Sequence, residues 1–134
     1  MFAVKPKTFY YNAKDASSYI SMGSKLREMV ETTIERGQEL VILCIGSDRS
    51  TGDSLGPIIG YKLERLNIPD IHIFGTLENP VHAVNLKDTI DEIYETFTNP
   101  FIIAVDASLG SRDHIGLVTL SPKPIKPGLG VKKS

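Results

Sequence analysis

The sequence has a single cysteine, no tryptophan and almost no excess of charge of either sign. One cysteine excludes an internal disulfide framework and is typical of a reducing compartment. A formal net charge of −1 gives no electrostatic reason to expect nucleic acid or an anionic membrane as a partner. No apolar stretch reaches membrane-spanning length, and residues 1–10 lack the apolar core of a signal peptide. We therefore expect a cytoplasmic protein with no nucleic-acid and no membrane partner.

The composition is that of an ordinary globular protein, with 41% hydrophobic and 23% charged residues in 134. This length predicts a single domain over residues 1–134. Prolines, glycines and lysines crowd residues 121–134, which predicts a flexible tail. Because no closing helix follows the last predicted strand, we expect that a C-terminal segment is missing.

Hydrophobic periodicity predicts strands and helices in alternation. The predicted strands are 39–46, 71–74, 101–106 and 115–120, with a short edge strand near 8–11, and the predicted helices are 16–36, 54–66 and 86–97. This alternation predicts an α/β fold of three αβα layers with a mainly parallel sheet.

Each predicted helix carries an apolar face and recognisable ends. The apolar faces consist of Tyr19, Met22, Leu26, Met29, Val30 and Ile34 in the first helix, Leu55, Ile58, Ile59, Leu63 and Leu66 in the second, and Leu86, Ile90, Ile93, Tyr94 and Phe97 in the third. Gly37 is the expected residue after the first helix, Asp53 or Ser54 caps the second, and Asn85 caps the third.

Two aspartates follow predicted strands of the same sheet. Asp53 lies in the glycine-bounded loop after the apolar run 40–45, and Asp106 ends the run 101–105. Open α/β folds bind ligands at the carboxyl ends of their strands, so the two carboxylates should meet there. Repulsion between them would raise the pKa of one, so that one is protonated while the other is ionised. Asp53 could instead serve only as a helix cap, but that role leaves Asp106 unexplained.

Four further polar residues are expected near this edge. In one interpretation, Asp48 and Arg49 form an exposed ion pair that contributes little to stability. In the alternative, Asp48 adds negative charge to the site and Arg49 orients the substrate. Glu78 and His82 follow the strand 71–74 and could support substrate binding.

A metal site is the weaker alternative for the same residues. Asp53, Asp106 and His82 could bind a divalent cation, although their spacing matches no compact metal motif. We therefore expect no cofactor. Cys44 lies within a predicted strand and is expected to be an inert core thiol.

Other chemistries have less support. The loop 46–52 could hold phosphate at a helix N-terminus, but it matches neither common phosphate-binding pattern, and its acids would repel an anion. Serines lie near the edge, yet no G-x-S-x-G turn is present.

Three blocks of this sequence resemble the sporulation protein YyaC family. They are Ile-Gly-Ser-Asp-Arg-Ser-Thr-Gly-Asp-Ser-Leu-Gly-Pro from Ile45, Gly-Thr-Leu-Glu-Asn-Pro-Val-His-Ala-Val-Asn-Leu from Gly75, and Val-Asp-Ala-Ser from Val105. The resemblance covers roughly residues 38–134. It implies a spore protease that is similar to the germination protease and, more distantly, to hydrogenase maturation proteases. It also implies a phosphorylase/hydrolase-like α/β fold.

By this resemblance, Asp53 and Asp106 match the two catalytic aspartates of the germination protease. The leading hypothesis is therefore a peptidase of sporulation or germination that hydrolyses a protein or peptide substrate through Asp53 and Asp106. The alternatives are a catalytically silent binding module of sporulation and a metal-binding maturation factor. The sequence leaves the oligomeric state open.

Overall fold

The structure, a computed structural model, describes residues 8–47, 54–107 and 117–120. The elements within these ranges are, in chain order, β1 (Phe9–Asn12), α1 (Ala16–Glu35), β2 (Glu39–Ile45), α2 (Leu55–Arg65), β3 (Ile71–Phe74), α3 (Leu86–Thr96), β4 (Pro100–Asp106) and β5 (Leu117–Leu120). Their order and type agree closely with the predicted alternation.

The core of the fold is a three-stranded parallel sheet with the order β3-β2-β4. Val41 of β2 lies between His72 of β3 and Ile102 of β4, and this register continues along the sheet. The central strand is almost wholly apolar because both of its faces are covered, as parallel strands require. Helices pack on the two faces, which confirms the predicted three-layer α/β/α fold.

One face of the sheet is covered by α3. The cluster there consists of Val41, Leu43, Ile45, Val81 and Ile93, with Leu86, Ile90 and Phe97 packed against it. Ile93 is fully buried, as the periodicity predicts, whereas Tyr94 is exposed. The prediction that Tyr94 belongs to the buried face of this helix is therefore wrong.

The opposite face is covered by α2, which approaches the sheet through small residues. Gly56, Pro57 and Gly60 are its buried positions. A β-carbon on Gly60 would overlap the carbonyl oxygen of Gly75 and lie 3.4 Å from the Cys44 side chain. The apolar face predicted for this helix is only partly correct, because Ile59 and Leu63 are half-buried whereas Leu55, Ile58 and Leu66 are exposed.

The ends of α1 are defined by specific hydrogen bonds. Asp15 caps the first turn, accepting from the Ser17 hydroxyl at 2.8 Å and from the Ser17 N–H at 3.0 Å. These bonds lower the pKa of the Asp15 carboxyl. At the other end Gly37 has φ of 68°, and N–H groups of residues 37 and 38 bond the last turn. This confirms Gly37 as the residue that ends the helix.

The apolar face predicted for α1 is only partly correct. Met22, Leu26, Met29 and Val30 are half-buried. Tyr19 and Ile34 are 74% and 68% exposed, so the face is narrower than the sequence spacing implies. Thr33 is buried instead, with its hydroxyl donating to the Met29 carbonyl at 2.8 Å.

The last predicted strand forms, but not in the parallel sheet. β5 pairs antiparallel with β1, with Phe9 opposite Leu120. The predicted tail 121–134 lies outside the described residues. Among the described helices, none combines the length and the apolar character that crossing a bilayer requires.

Candidate functional site

The carboxyl edge of the parallel sheet is formed by residues from three separate parts of the chain. Ile45, the last residue of β2, lies opposite Asp106, the last residue of β4. On its other side Ile45 forms an isolated parallel bridge with Val81, and the Gly46 N–H donates to the Val81 carbonyl at 2.8 Å. Val81 thus continues the sheet beyond the end of β3, so that three backbones lie side by side at this edge.

Asp106 is half-buried at the end of β4. Side chains alternate along a strand, so Asp106 shares a face with Ala104, which packs against the α3 cluster. A carboxylate at this position lies where the apolar layer ends, partly shielded from water. The structure therefore bears out the prediction that Asp106 ends a sheet strand at the carboxyl edge.

Asp53, Asp48 and Arg49 lie outside the described residues, so their predicted roles remain predictions. The described residues on either side of them are positioned at the edge. Ser47 is buried immediately beyond β2, and Ser54 occupies the N-cap position of α2. Two residues into that helix, Gly56 packs against the backbone of Ile45. Ser47 and Ser54, the described residues that flank positions 48–53 in the sequence, thus both lie next to elements at this edge.

The loop between β3 and α3 forms the third part of the edge. Thr76 is buried, its N–H donates to the Asn79 carbonyl at 3.2 Å, and its hydroxyl accepts from the Asn79 N–H at 3.1 Å. Asn85 occupies the predicted N-cap position, but its side chain holds the loop. Its Oδ1 accepts from the His82 N–H at 2.8 Å, and its Nδ2 donates to the Pro80 carbonyl at 3.1 Å.

Glu78 and His82 are both on this loop, as predicted, but they differ in exposure. Glu78 is exposed and His82 is half-buried. Within residues 8–47, 54–107 and 117–120, no three His, Cys, Asp or Glu side chains converge as a metal site would require. The metal alternative also includes Asp53, which lies outside those ranges.

Cys44 lies one residue before the end of β2 and is fully buried. Burial raises the pKa of its thiol to about 11. At neutral pH almost none of it is thiolate, which is the nucleophilic form of cysteine. The prediction that Cys44 is a core thiol is confirmed, and its burial disfavours a role as a nucleophile.

Sequence reasoning missed how α2 is placed. The two glycines of α2 are four residues apart and therefore lie on one side of the helix. Neither position tolerates a β-carbon, because the backbones of Ile45 and Gly75 fill that space. The spacing of Gly56 and Gly60 was the available signal for this close approach.

Comparison with known proteins gives a family but no activity. The chain is 52% identical over 97 residues to the "Uncharacterized protein YyaC" of Bacillus subtilis (strain 168), a match that spans 72% of this chain and 47% of that protein. The chain thus spans about half the length of the curated relative that it matches. No solved structure matches it, so the more specific phosphorylase/hydrolase-like classification stays a prediction.

The match to YyaC supports the resemblance seen in the three sequence blocks, whereas the relation to proteases is not shown by it. A family model described as "Protein of unknown function (DUF1256)" matches residues 9–134, almost the whole chain. The protein is therefore a member of the DUF1256 family.

Proposed function

We propose that this protein is a peptidase that hydrolyses a protein substrate with Asp53 and Asp106 at the carboxyl edge of the parallel sheet. The observation that carries the proposal is the register of β4 against β2, in which Asp106 lies opposite Ile45. Parallel α/β sheets bind their ligands at this edge. A half-buried carboxylate there is suited to acid–base chemistry.

The position of α2 supports a contribution from Asp53. Gly56 packs on the backbone of Ile45, and Ser54 occupies the N-cap position two residues earlier. Asp53 immediately precedes Ser54 in the sequence. Ile45 is thus the common neighbour of Asp106 and of the first turn of α2.

The proposed mechanism assigns different protonation states to the two acids. The ionised carboxylate takes a proton from a water molecule, which attacks the scissile carbonyl carbon. The protonated carboxyl polarises the carbonyl oxygen and then donates its proton to the leaving amine. Arg49 and Glu78 orient the substrate in this scheme, while Asp48 and His82 adjust the charge around the pair.

The resemblance to the YyaC family supports a role in sporulation or germination. The proposed mechanism needs no metal ion, because His82 is the one nitrogen ligand among the predicted site residues. A maturation factor that binds a divalent cation through Asp53, Asp106 and His82 is the competing proposal. A binding module that carries out no hydrolysis is the other.

The test compares wild-type protein with Asp53→Asn and Asp106→Asn, using Asp91→Asn as the matched control. Asp91 is exposed on α3, on a helix whose core cluster lies on the other side. Each protein is incubated with small acid-soluble spore proteins and with a protein extract of sporulating cells. New peptide N-termini are then quantified by mass spectrometry.

We expect wild type and Asp91→Asn to generate the same new N-termini. Asp53→Asn and Asp106→Asn should lose at least about 100-fold in rate, the low end of what general acid–base groups contribute. Their unfolding free energies should stay within about 1 kcal/mol of wild type, because Asn keeps the size of the side chain. Cleavage by Asp106→Asn at the wild-type rate would overturn the two-aspartate mechanism. No cleavage by the wild type would overturn the peptidase proposal.

A further inference from the structure

A second surface lies along the outer side of β3, and none of the predicted site residues that the structure describes lines it. It is an open groove of about 390 Å³. All four residues of β3 form its floor, the end of α2 with the turn that follows forms one wall, and Phe97 forms the other. A volume of this size is within the range of small binding sites.

The floor of this groove is an unpaired sheet edge. In the order β3-β2-β4, one side of β3 is bonded to β2, and no strand lies on its other side in the parts of the chain that the structure describes. An edge strand presents backbone N–H and C=O groups of alternate residues in a row. Such a row recognises one kind of ligand, which is another extended backbone.

The walls of the groove supply apolar contacts. Ile68 stands on the turn after α2 and is 40% exposed. On the other side the His72 ring packs against Phe97 with 4.3 Å between ring centroids and the ring planes tilted by 38°. Its Nε2 lies 3.0 Å from Glu39 Oε2. These contacts fix the Phe97 side of the groove before a ligand binds. Fewer side chains therefore lose conformational freedom on binding.

Glu64 is the one carboxylate among the described residues that line the groove, whereas Lys62 and Arg65 of the same helix turn are not among them. Two further acids lie next to the groove. The exposed Asp70 immediately precedes β3, and Glu39, the first residue of β2, contacts His72. None of the groove's nine lining residues is a lysine or an arginine. An entering segment with positive side chains would therefore be attracted to it.

We propose that the outer edge of β3 binds an extended segment of a partner protein, in which apolar residues alternate with lysine or arginine. The segment adds as a further strand of the sheet, so its alternate side chains point to opposite walls, and its apolar side chains lie against Phe97. Its basic side chains point to the other wall, with their aliphatic stems against Ile68 and their charges near Glu64. This binding does not depend on the peptidase activity proposed above.

The probe is a synthetic pool of acetylated and amidated heptapeptides in which Val, Ile or Leu alternates with Lys or Arg. Two matched pools carry Glu in place of the basic residues, or N-methyl groups on alternate amides. Binding is followed by shifts of the backbone amide signals in NMR spectra of the full chain. The groove variants are Ile68→Lys and Glu64→Lys.

Their controls are Ile58→Lys and Glu92→Lys. Ile58 is 38% exposed, close to the value for Ile68, but lies outside the groove. Glu92 is an exposed carboxylate on α3 that also lies outside it. If peptide binding is specific to the groove, Ile68→Lys and Glu64→Lys must weaken it. Ile58→Lys and Glu92→Lys must leave it unchanged.

We expect the basic pool to shift the amide signals of Ile71–Phe74, and Ile68→Lys to weaken binding at least about tenfold. The Glu pool and the N-methylated pool should bind at least about tenfold more weakly as well. Absence of binding at about 1 mM peptide would overturn the proposal. Equal binding of the N-methylated pool, or equal losses in the control variants, would also overturn it. A homodimer that Ile68→Lys dissociates would show that a second copy fills the groove, and would overturn the assignment to a partner protein.

Discussion

The carbonyl oxygen of Gly75 occupies the space that a β-carbon on Gly60 would need. This contact joins the middle of α2 to the residue that ends β3, where φ is +91°. Together with Gly56 on Ile45, it places the first turn of α2 directly above the carboxyl edge of the sheet. The position of the candidate site thus depends on two glycines that carry no functional group.

Replacing Gly60 by alanine should therefore destabilise the fold. The added methyl group meets backbone rather than a flexible side chain, so we expect a loss of about 3 kcal/mol in the free energy of unfolding. Denaturant titration followed by circular dichroism measures it. Gly23→Ala is the control, because Gly23 lies exposed in α1 with nothing within 4 Å of its β-carbon position. That change should stabilise the protein by about 0.5–1 kcal/mol. Equal effects of the two substitutions would refute the packing argument.

The interior of α2 also shows where sequence reasoning fails. Its spacing of leucine and isoleucine predicted the buried face, yet the exposed positions include Leu55, Ile58 and Leu66. A buried face predicted from hydropathy is defined by large apolar side chains, and glycine does not contribute to it. A helix that approaches a sheet through its smallest residues buries backbone, which a pattern of apolar side chains does not report.

The thiol of Cys44 should make stability fall at alkaline pH. Burial raises its pKa from the ordinary value of 9.0 to about 11 in the folded state. The folded state therefore holds the proton more tightly than the unfolded state. The stability that the protonated thiol gives the folded state is complete below pH 9. It is lost as the pH rises toward 11, at about 1.4 kcal/mol per pH unit.

Because tyrosine and lysine also titrate in this range, the measurement is a difference between wild type and Cys44→Ala. We expect the gap in unfolding free energy between the two proteins to shrink by about 2 kcal/mol between pH 9 and 11. A constant gap would contradict the buried thiol. In the native state at pH 8 the thiol should also react with a maleimide far more slowly than in denaturant.

Removing the Asn85 side chain should loosen the loop that carries Glu78 and His82. Asn85→Ala deletes the bonds to the His82 N–H and the Pro80 carbonyl, at a cost of about 1–2 kcal/mol. Hydrogen exchange at the His82 and Gly46 amides should accelerate by at least about tenfold. Asn79→Ala is the control, since Asn79 holds the same loop with its backbone N–H and C=O. Unchanged exchange in Asn85→Ala would show that the loop is held by other contacts.

Asn85 illustrates a second limit of prediction from sequence. Asparagine before a helix is correctly identified as an N-cap position, but the same amide group can bond any nearby backbone. Only the folded loop decides that Pro80 and His82 are its partners. In the same way, the sequence predicts the strand that ends at Leu120, whereas its pairing with β1 depends on contacts far apart in the chain.

Other features follow from local chemistry and were predictable. The continuous apolar runs of β2 and β4, the bounds of β3 at residues 71–74 and the position of Gly37 just after α1 all agree with the structure. Asp106 at the end of β4 is among them, because an acid that ends an apolar run belongs at a sheet edge.

A chelator should leave the proposed hydrolysis unchanged. The mechanism uses two carboxyl groups and a water molecule, so added EDTA should not alter the rate of cleavage. The pH–rate profile should instead show two carboxyl ionisations. Loss of activity in EDTA that returns on adding a divalent cation would favour the metal-binding alternative through Asp53, Asp106 and His82.

The central claim is that Asp53 and Asp106 share one site, and it can be tested without a substrate. The side-chain carboxyl signal of Asp106 is followed by carbon-13 NMR as a function of pH, in wild type and in Asp53→Asn. If the two carboxylates are neighbours, removing the charge of Asp53 favours ionisation of Asp106. Its midpoint should then fall by about one pH unit or more. Asp91→Asn should leave the midpoint unchanged. A midpoint for Asp106 that is the same in wild type and Asp53→Asn would contradict the shared site.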